Sequence, residues 1–314
     1  IRTSAIRRVL EAIDIKLLFD PWEKWLDDKL AQALAENEQF RHVLALIERG
    51  GWYAADPFIT WLEKKLDSGT WSGGQRAFSG ATLAELFDAT GVELSMIASD
   101  TTDGRLLVLN HRTAPDCPVV WAVRMSMSIP LVWDEVVWKS SWGQYLGRDM
   151  TDHAIVDGGL LSNFPIELFI SDEQQVVKLM GPKKGNPVLG MLIDEQLPVP
   201  MPKARGMIVD VNIKPGELRT VQRLQRLANA ATSAHDKMVI DEFSNLIVRL
   251  PAAGYGTTEF EMSDERRMAL VNAGRSAMAS YFDAQRLASS APRAARGAPV
   301  KASKADRIAT AILQ

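Results

Sequence analysis

Residues 155–169, Ile-Val-Asp-Gly-Gly-Leu-Leu-Ser-Asn-Phe-Pro-Ile-Glu-Leu-Phe, constrain the fold of this 314-residue chain more than any other stretch. A short apolar approach ends at Asp157, and Gly158 and Gly159 come directly after it. Asn163 suits a helix cap, and Pro165 suits a first helical turn, where its missing N–H costs nothing. The pattern predicts strand, tight turn and helix, with Asp157 at the strand's end. Glycines there let other backbone or a ligand come close. Carboxylates that do chemistry are often held on such loops over a rigid sheet. Taken alone, however, Asp-Gly-Gly reads more readily as a structural aspartate in a glycine-rich turn.

The length allows one large domain or two small ones with a substantial core. A hydrophobic share of 46% and a charged share of 24% are ordinary for a globular protein. A net charge of −3 and the lack of a basic run with interleaved aromatics argue against a nucleic-acid surface. The single cysteine, Cys117, excludes an internal disulfide and reads as a free buried or loop thiol. No apolar run approaches the ~18 residues of a spanning helix.

Helical periodicity covers residues 4–19, 21–34 and 39–48, with Trp22 and Trp25 on one face. That face suits either core packing or lipid contact; the acidic polar side favours packing. Asp56-Pro57 starts a further helix, and Thr82-x-x-Glu85 is a capping box for a short one that stops at Gly91. Residues 93–98 and 105–110 read as a hairpin, with Asp100 a turn residue bonding nearby N–H groups rather than a second catalytic acid. Residues 119–127 read as a buried helix ending before Pro130. The segment holding Trp133, Trp138, Trp142 and Tyr145 reads equally as a flap beside an apolar pocket or as a plain hairpin with buried aromatics. Residues 188–193 read as a buried strand, 217–243 as a long helix, 245–250 as a strand, and Ser263-Asp264 opens a last helix. Strands alternating with helices predict an α/β fold, a sheet covered by helices on both faces. Residues 1–285 form the expected domain. From Arg286 the chain is rich in Ala, Ser and Pro, with six basic side chains against Asp306 alone, and reads as a mostly disordered basic tail.

Three blocks in order, Ser99-Asp100-Thr101-Thr102-Asp103-Gly104-Arg105, Met125-Ser126-Met127-Ser128-Ile129-Pro130 and Asp157-Gly158-Gly159, resemble the Asp-x-x-x-Gly hairpin, the Ala-Ser-x-x-x-Pro block and the Asp-Gly-Gly block of patatin-like phospholipases. Met125 stands where that family usually has Ala. The resemblance spans roughly Ala55 to Phe282. It implies a patatin-like α/β fold and a lipid acyl hydrolase working through a Ser–Asp dyad, with Asp157 as the dyad acid and Gly158 and Gly159 shaping its turn. It also implies a lipid ester substrate; no nucleotide or metal motif stands out in the sequence, so no cofactor and no metal are expected. Peripheral membrane contact, cytoplasmic or at a membrane surface, is compatible with it.

Acyl transfer of this kind needs a serine nucleophile, a base and N–H donors for the oxyanion. The serine normally sits in Gly-x-Ser-x-Gly on a strand-to-helix elbow. No such motif occurs. Ser72 and Ser276 have one flanking glycine each, and Ser4 has Arg2 and Ile6 where glycines are expected. The expectation is therefore a patatin domain that begins just past its nucleophile, with the dyad acid alone present. The alternative is a non-catalytic lipid- or protein-binding pseudoenzyme. His42, His111, His153 and His235 show no triad or metal spacing, and His153 reads as a surface loop residue.

Overall fold

The computed structural model describes residues 50–200, 237–256, 262–290 and 302–313. The helices expected over residues 4–48, most of that expected over 217–243, and Ser4 lie outside them. The described residues fall into two compact units, one running to Asn163 and one beginning at Phe164.

The first unit is built around a four-stranded sheet. Its strands are β4 (Met96–Asp100), β5 (Arg105–Leu109), β7 (Val136–Val137) and β8 (Ala154–Asp157), in the order β5-β4-β8-β7, with every neighbouring pair antiparallel. The hairpin expected around Asp100–Gly104 joins β4 to β5. Ala98 pairs with Leu107 on one side and with Asp157 on the other, so the central strand fixes the acid's place. Before the sheet come β1 (Gly51–Tyr53), α1 (Asp56–Leu66), a small hairpin of β2 (Thr70–Trp71) and β3 (Gly74–Gln75), and α2 (Leu83–Thr90). The hairpin lies in the glycine- and serine-rich stretch between α1 and α2.

The capping box of α2 is formed at both ends: Glu85 N–H donates to Thr82 Oγ1 at 3.2 Å, and Thr82 N–H donates to Glu85 Oε2 at 2.8 Å. Gly91 closes the helix in the left-handed region, φ 65°, where glycine carries no Cβ penalty. Helix α3 (Val119–Ser126) packs on β4 and β8. It begins just after Pro118, whose missing N–H is harmless at a helix start. Strand β6 (Leu131–Trp133) pairs in parallel with β1.

The aromatic segment after β6 belongs to the core. Trp138, Trp142 and Tyr145 are buried, in one cluster with Leu107, Met125 and Ile155. Trp138 donates its indole N–H to the Gly143 carbonyl at 3.0 Å, and Tyr145 Oη accepts from Val108 N–H at 3.1 Å. Of the two readings of this segment, buried aromatics hold for these three residues. Cys117 is likewise buried and free, and burial pushes its thiol up to about 12, which leaves it inert at neutral pH.

The second unit holds α4 (Glu167–Ile170), α5 (Gln174–Met180) and a parallel pair, β9 (Gly190–Pro198) with β10 (Ile247–Ala253). Parallel pairing requires a crossover between the strands, as α/β proteins have. The strand expected at 188–193 is present but is not buried on both faces: Met191 and Ile193 are 57% and 71% exposed. The apolar run looks like a buried strand, yet alternate residues face outward. Then come α6 (Asp264–Ser290) and α7 (Ala302–Leu313).

For the described residues 286–290 and 302–313 the reading of a disordered tail is corrected: α6 continues to Ser290, and 302–313 form α7. Ala305, Ile308 and Ala309 repeat at i, i+3, i+4, and all three are buried. Ala305 and Ile308 pack with Ile166, Phe243 and Ile247. Asp306 accepts from Ser171 Oγ at 2.6 Å and from Asp172 N–H at 3.0 Å. Among the described residues, helix therefore continues past the change in composition at residue 286.

Candidate active site

Asp157 ends β8, as the apolar approach and glycine pair predict. The turn beyond it differs in detail from the expected one. Residues Gly158–Leu160 form one 3-10 turn, and Asp157 itself caps it, Oδ1 accepting from Gly159 N–H at 2.8 Å. Helix α4 starts only at Glu167, after Ile166, so Asn163 and Pro165 are not its cap and first residue. The Asp157 cap serves only the short 3-10 turn; Ile166 stands at the N-cap of α4 and no side chain caps that helix.

The two glycines serve different neighbours. A Cβ on Gly158 would meet the backbone C and O of Ile97 in β4 at 2.6 Å each. Close approach to the central strand therefore requires glycine there, although its φ is not left-handed. A Cβ on Gly159 would collide with the side-chain oxygen of Asn163 and lie 3.2 Å from Asp157 Oδ1. The turn thus folds tightly over the acid.

The acid's backbone is held from the side away from β4. Asp157 N–H donates to the Ser128 carbonyl at 2.9 Å, which brings the 125–130 block against the Asp-Gly-Gly block. Among the described residues the second carboxylate oxygen accepts no hydrogen bond. Burial pushes the carboxyl above its ordinary value of 3.8, and the Gly159 N–H pulls more weakly the other way. A half-buried carboxylate with one anchored oxygen and a raised proton affinity is suited to accepting a proton.

Asp100 is a turn residue, as expected. Fully buried, its Oδ1 accepts from Thr102 N–H at 3.1 Å and Asp103 N–H at 3.3 Å. Its Oδ2 meets Arg105 Nε at 3.2 Å and His153 Nδ1 at 3.0 Å. His153 is thus part of a cluster rather than an isolated loop residue. Nothing in sequence signals this, since its partner is 53 positions away. Asp100, Asp103 and His153 could bring ligand atoms within 4.8 Å of one another. Arg105 and Arg148 already pair with the two acids, Arg148 with Asp103 at 2.6 Å, so the group is an ion-pair cluster that ties the hairpin to the start of β8. His153 lies four positions before Asp157 along an extended chain, about 13 Å of strand, which places the imidazole beyond reach of the candidate base.

Fold and site together define an α/β protein with an acid on a strand end, a Gly-Gly turn folded against it, and no histidine bonded to it among the described residues. The patatin-like phospholipase family model matches residues 5–170, more than half of the chain, and the protein belongs to that family, whose members act on lipids. It is also 26% identical over 280 residues to "Uncharacterized protein YqhO" of Bacillus subtilis (strain 168), covering 87% of this chain and 78% of that one. No helix among the described residues is long and apolar enough to cross a membrane.

Proposed function

We propose that the protein is a lipid acyl ester hydrolase by descent, acting through a Ser–Asp dyad in which Asp157 is the general base. The observation that carries this reading is the half-buried Asp157 carboxylate at a strand end, anchored through one oxygen to Gly159 N–H; burial there pushes its proton affinity up. Asp157 takes the proton of the attacking serine and passes it to the departing alcohol, then takes a proton from the deacylating water and returns it to the serine oxygen as the acid leaves. No histidine is needed, because carboxylate and hydroxyl meet directly. The substrate is a phospholipid or neutral-lipid ester.

The sequence supplies this base without a Gly-x-Ser-x-Gly elbow. General-base assistance alone contributes ~10²–10⁴-fold, and loss of a single oxyanion donor forfeits ~10²–10³-fold. Residues 1–314 alone are therefore expected to hydrolyse esters near the uncatalysed rate. The same missing elbow favours a second reading, a pseudoenzyme that binds lipid without turnover.

The test is acyl product release from a short-chain ester by the 314-residue chain, beside its binding to phospholipid vesicles. A rate near background fits both readings; joining a segment that carries a Gly-x-Ser-x-Gly elbow ahead of residue 1 separates them, turnover that depends on Asp157 selecting the first and lipid binding still without turnover the second. A robust rate removed by Ser4→Ala would make Ser4 the nucleophile despite its missing glycines. A robust rate that survives Asp157→Asn would overturn the dyad.

A further inference from the structure

Arg124 is a cation almost wholly withdrawn from solvent, 2% exposed, on helix α3. A buried charge is costly unless paired and hydrogen-bonded, and nothing in the proposed chemistry calls for one here. Its bonding shows what it holds. One guanidinium nitrogen, Nη2, donates to the Asp134 backbone carbonyl at 2.6 Å and pairs with the Asp134 carboxylate. The other, Nη1, donates to Ser128 Oγ. The Ser128 hydroxyl in turn donates to Arg124's own carbonyl at 2.5 Å. A single side chain thus grips both ends of the segment 128–134.

That segment needs a grip. Leu131 sits at φ 69°, a left-handed backbone that a side chain with a Cβ adopts only under strain. The strain lies between the two ends that Arg124 joins. The segment's first residue, Ser128, also supplies the carbonyl that accepts the Asp157 N–H. A shift of Ser128 would release the acid from its outer side and leave it held by β4 and the Gly159 turn alone.

We infer that Arg124 is a positioning residue for Asp157: by bonding Ser128 and Asp134 it fixes the strained 128–134 turn, and the Ser128 carbonyl then fixes the acid. The inference rests on the reading of Asp157 as the base only for its meaning in catalysis; the positioning itself stands on the geometry. Lysine cannot replace Arg124 in full, because one ammonium does not span both partners as a planar fork does.

The experiment is residue-resolved amide exchange on the full chain, together with an NMR titration of the Asp157 carboxyl, in wild type, Arg124→Met, Arg124→Lys and Ser128→Ala. In Arg124→Met the Asp157 amide exchanges about 3- to 10-fold faster relative to the β5 amides, roughly what loss of one neutral hydrogen bond amounts to. Its carboxyl midpoint falls back toward the ordinary value as water gains access. Arg124→Lys lies between. A merely structural arginine would speed all sheet amides together and leave the carboxyl midpoint in place, and that outcome overturns the inference. If Arg124→Met does not fold, Ser128→Ala decides: a selective rise at Asp157 supports the inference, and no selective rise overturns it. Failure of the base reading would show instead as ester turnover that survives Asp157→Asn.

Discussion

At the scale of single residues, the Asp-Gly-Gly tripeptide works because each position answers to a different neighbour. Gly158 answers to the Ile97 backbone, so Gly158→Ala is expected to destabilise by about 1–3 kcal/mol through overpacking, read as a lower denaturant midpoint at unchanged slope. Asp157 answers to burial. Its folded carboxyl is raised above 3.8, so the folded state holds the proton more tightly than the unfolded one. The stability this gives is fully present below the unfolded value and is lost as pH rises through the folded one. Asp157→Asn keeps an acceptor for Gly159 N–H and carries no charge. It is therefore expected to be more stable than wild type at neutral pH, with the gain vanishing in acid. Chemical denaturation of both proteins at pH 3 and pH 7 checks this, and a gain independent of pH would contradict it. The acid's position was legible in sequence because an apolar run broken by two glycines ends a strand. Its capping role was not, because the Asn163 and Pro165 signal points further on. His153 was illegible for a different reason: its partner is set by β4–β8 pairing, which no local pattern encodes.

At the scale of elements, local signals read well where one helix or hairpin contains all the partners. The Thr82–Glu85 box is complete within four residues, and Thr82→Ala is expected to cost about 1 kcal/mol, measured by thermal or denaturant unfolding. The β4–β5 hairpin is likewise contained between Met96 and Leu109. Helix α7 shows where composition misleads. Its Ala, Lys and Arg content resembles a solvated tail, yet the spacing of Ala305, Ile308 and Ala309 makes a buried stripe. If α7 is integral to its unit, Ile308→Ala costs about 2–5 kcal/mol. A loss below about 0.5 kcal/mol, the scale of surface substitutions, would return these residues to the tail. The aromatic segment between β6 and β8 could not be decided in sequence, because a flap and a core hairpin need the same residues. Packing around Trp138 and Trp142 decides their place.

At the scale of the whole molecule, family and α/β class were readable from three short blocks in order. The structure gives those blocks a physical relation. The 99–105 block closes the hairpin beside β8, the 125–130 block ends α3 and holds the acid's N–H, and the 157–159 block carries the acid itself. The central claim is that Asp157 is poised to take a proton rather than merely to cap a turn. The two differ in sign: a capping carboxylate dominated by its N–H bond titrates below the ordinary range, and a desolvated base above it. The most direct measurement is the NMR titration of the Asp157 carboxyl in the folded wild-type chain, assigned by its loss in Asp157→Asn. A midpoint above 3.8 is the predicted result; a midpoint at or below that value would contradict the account and leave Asp157 a structural turn residue.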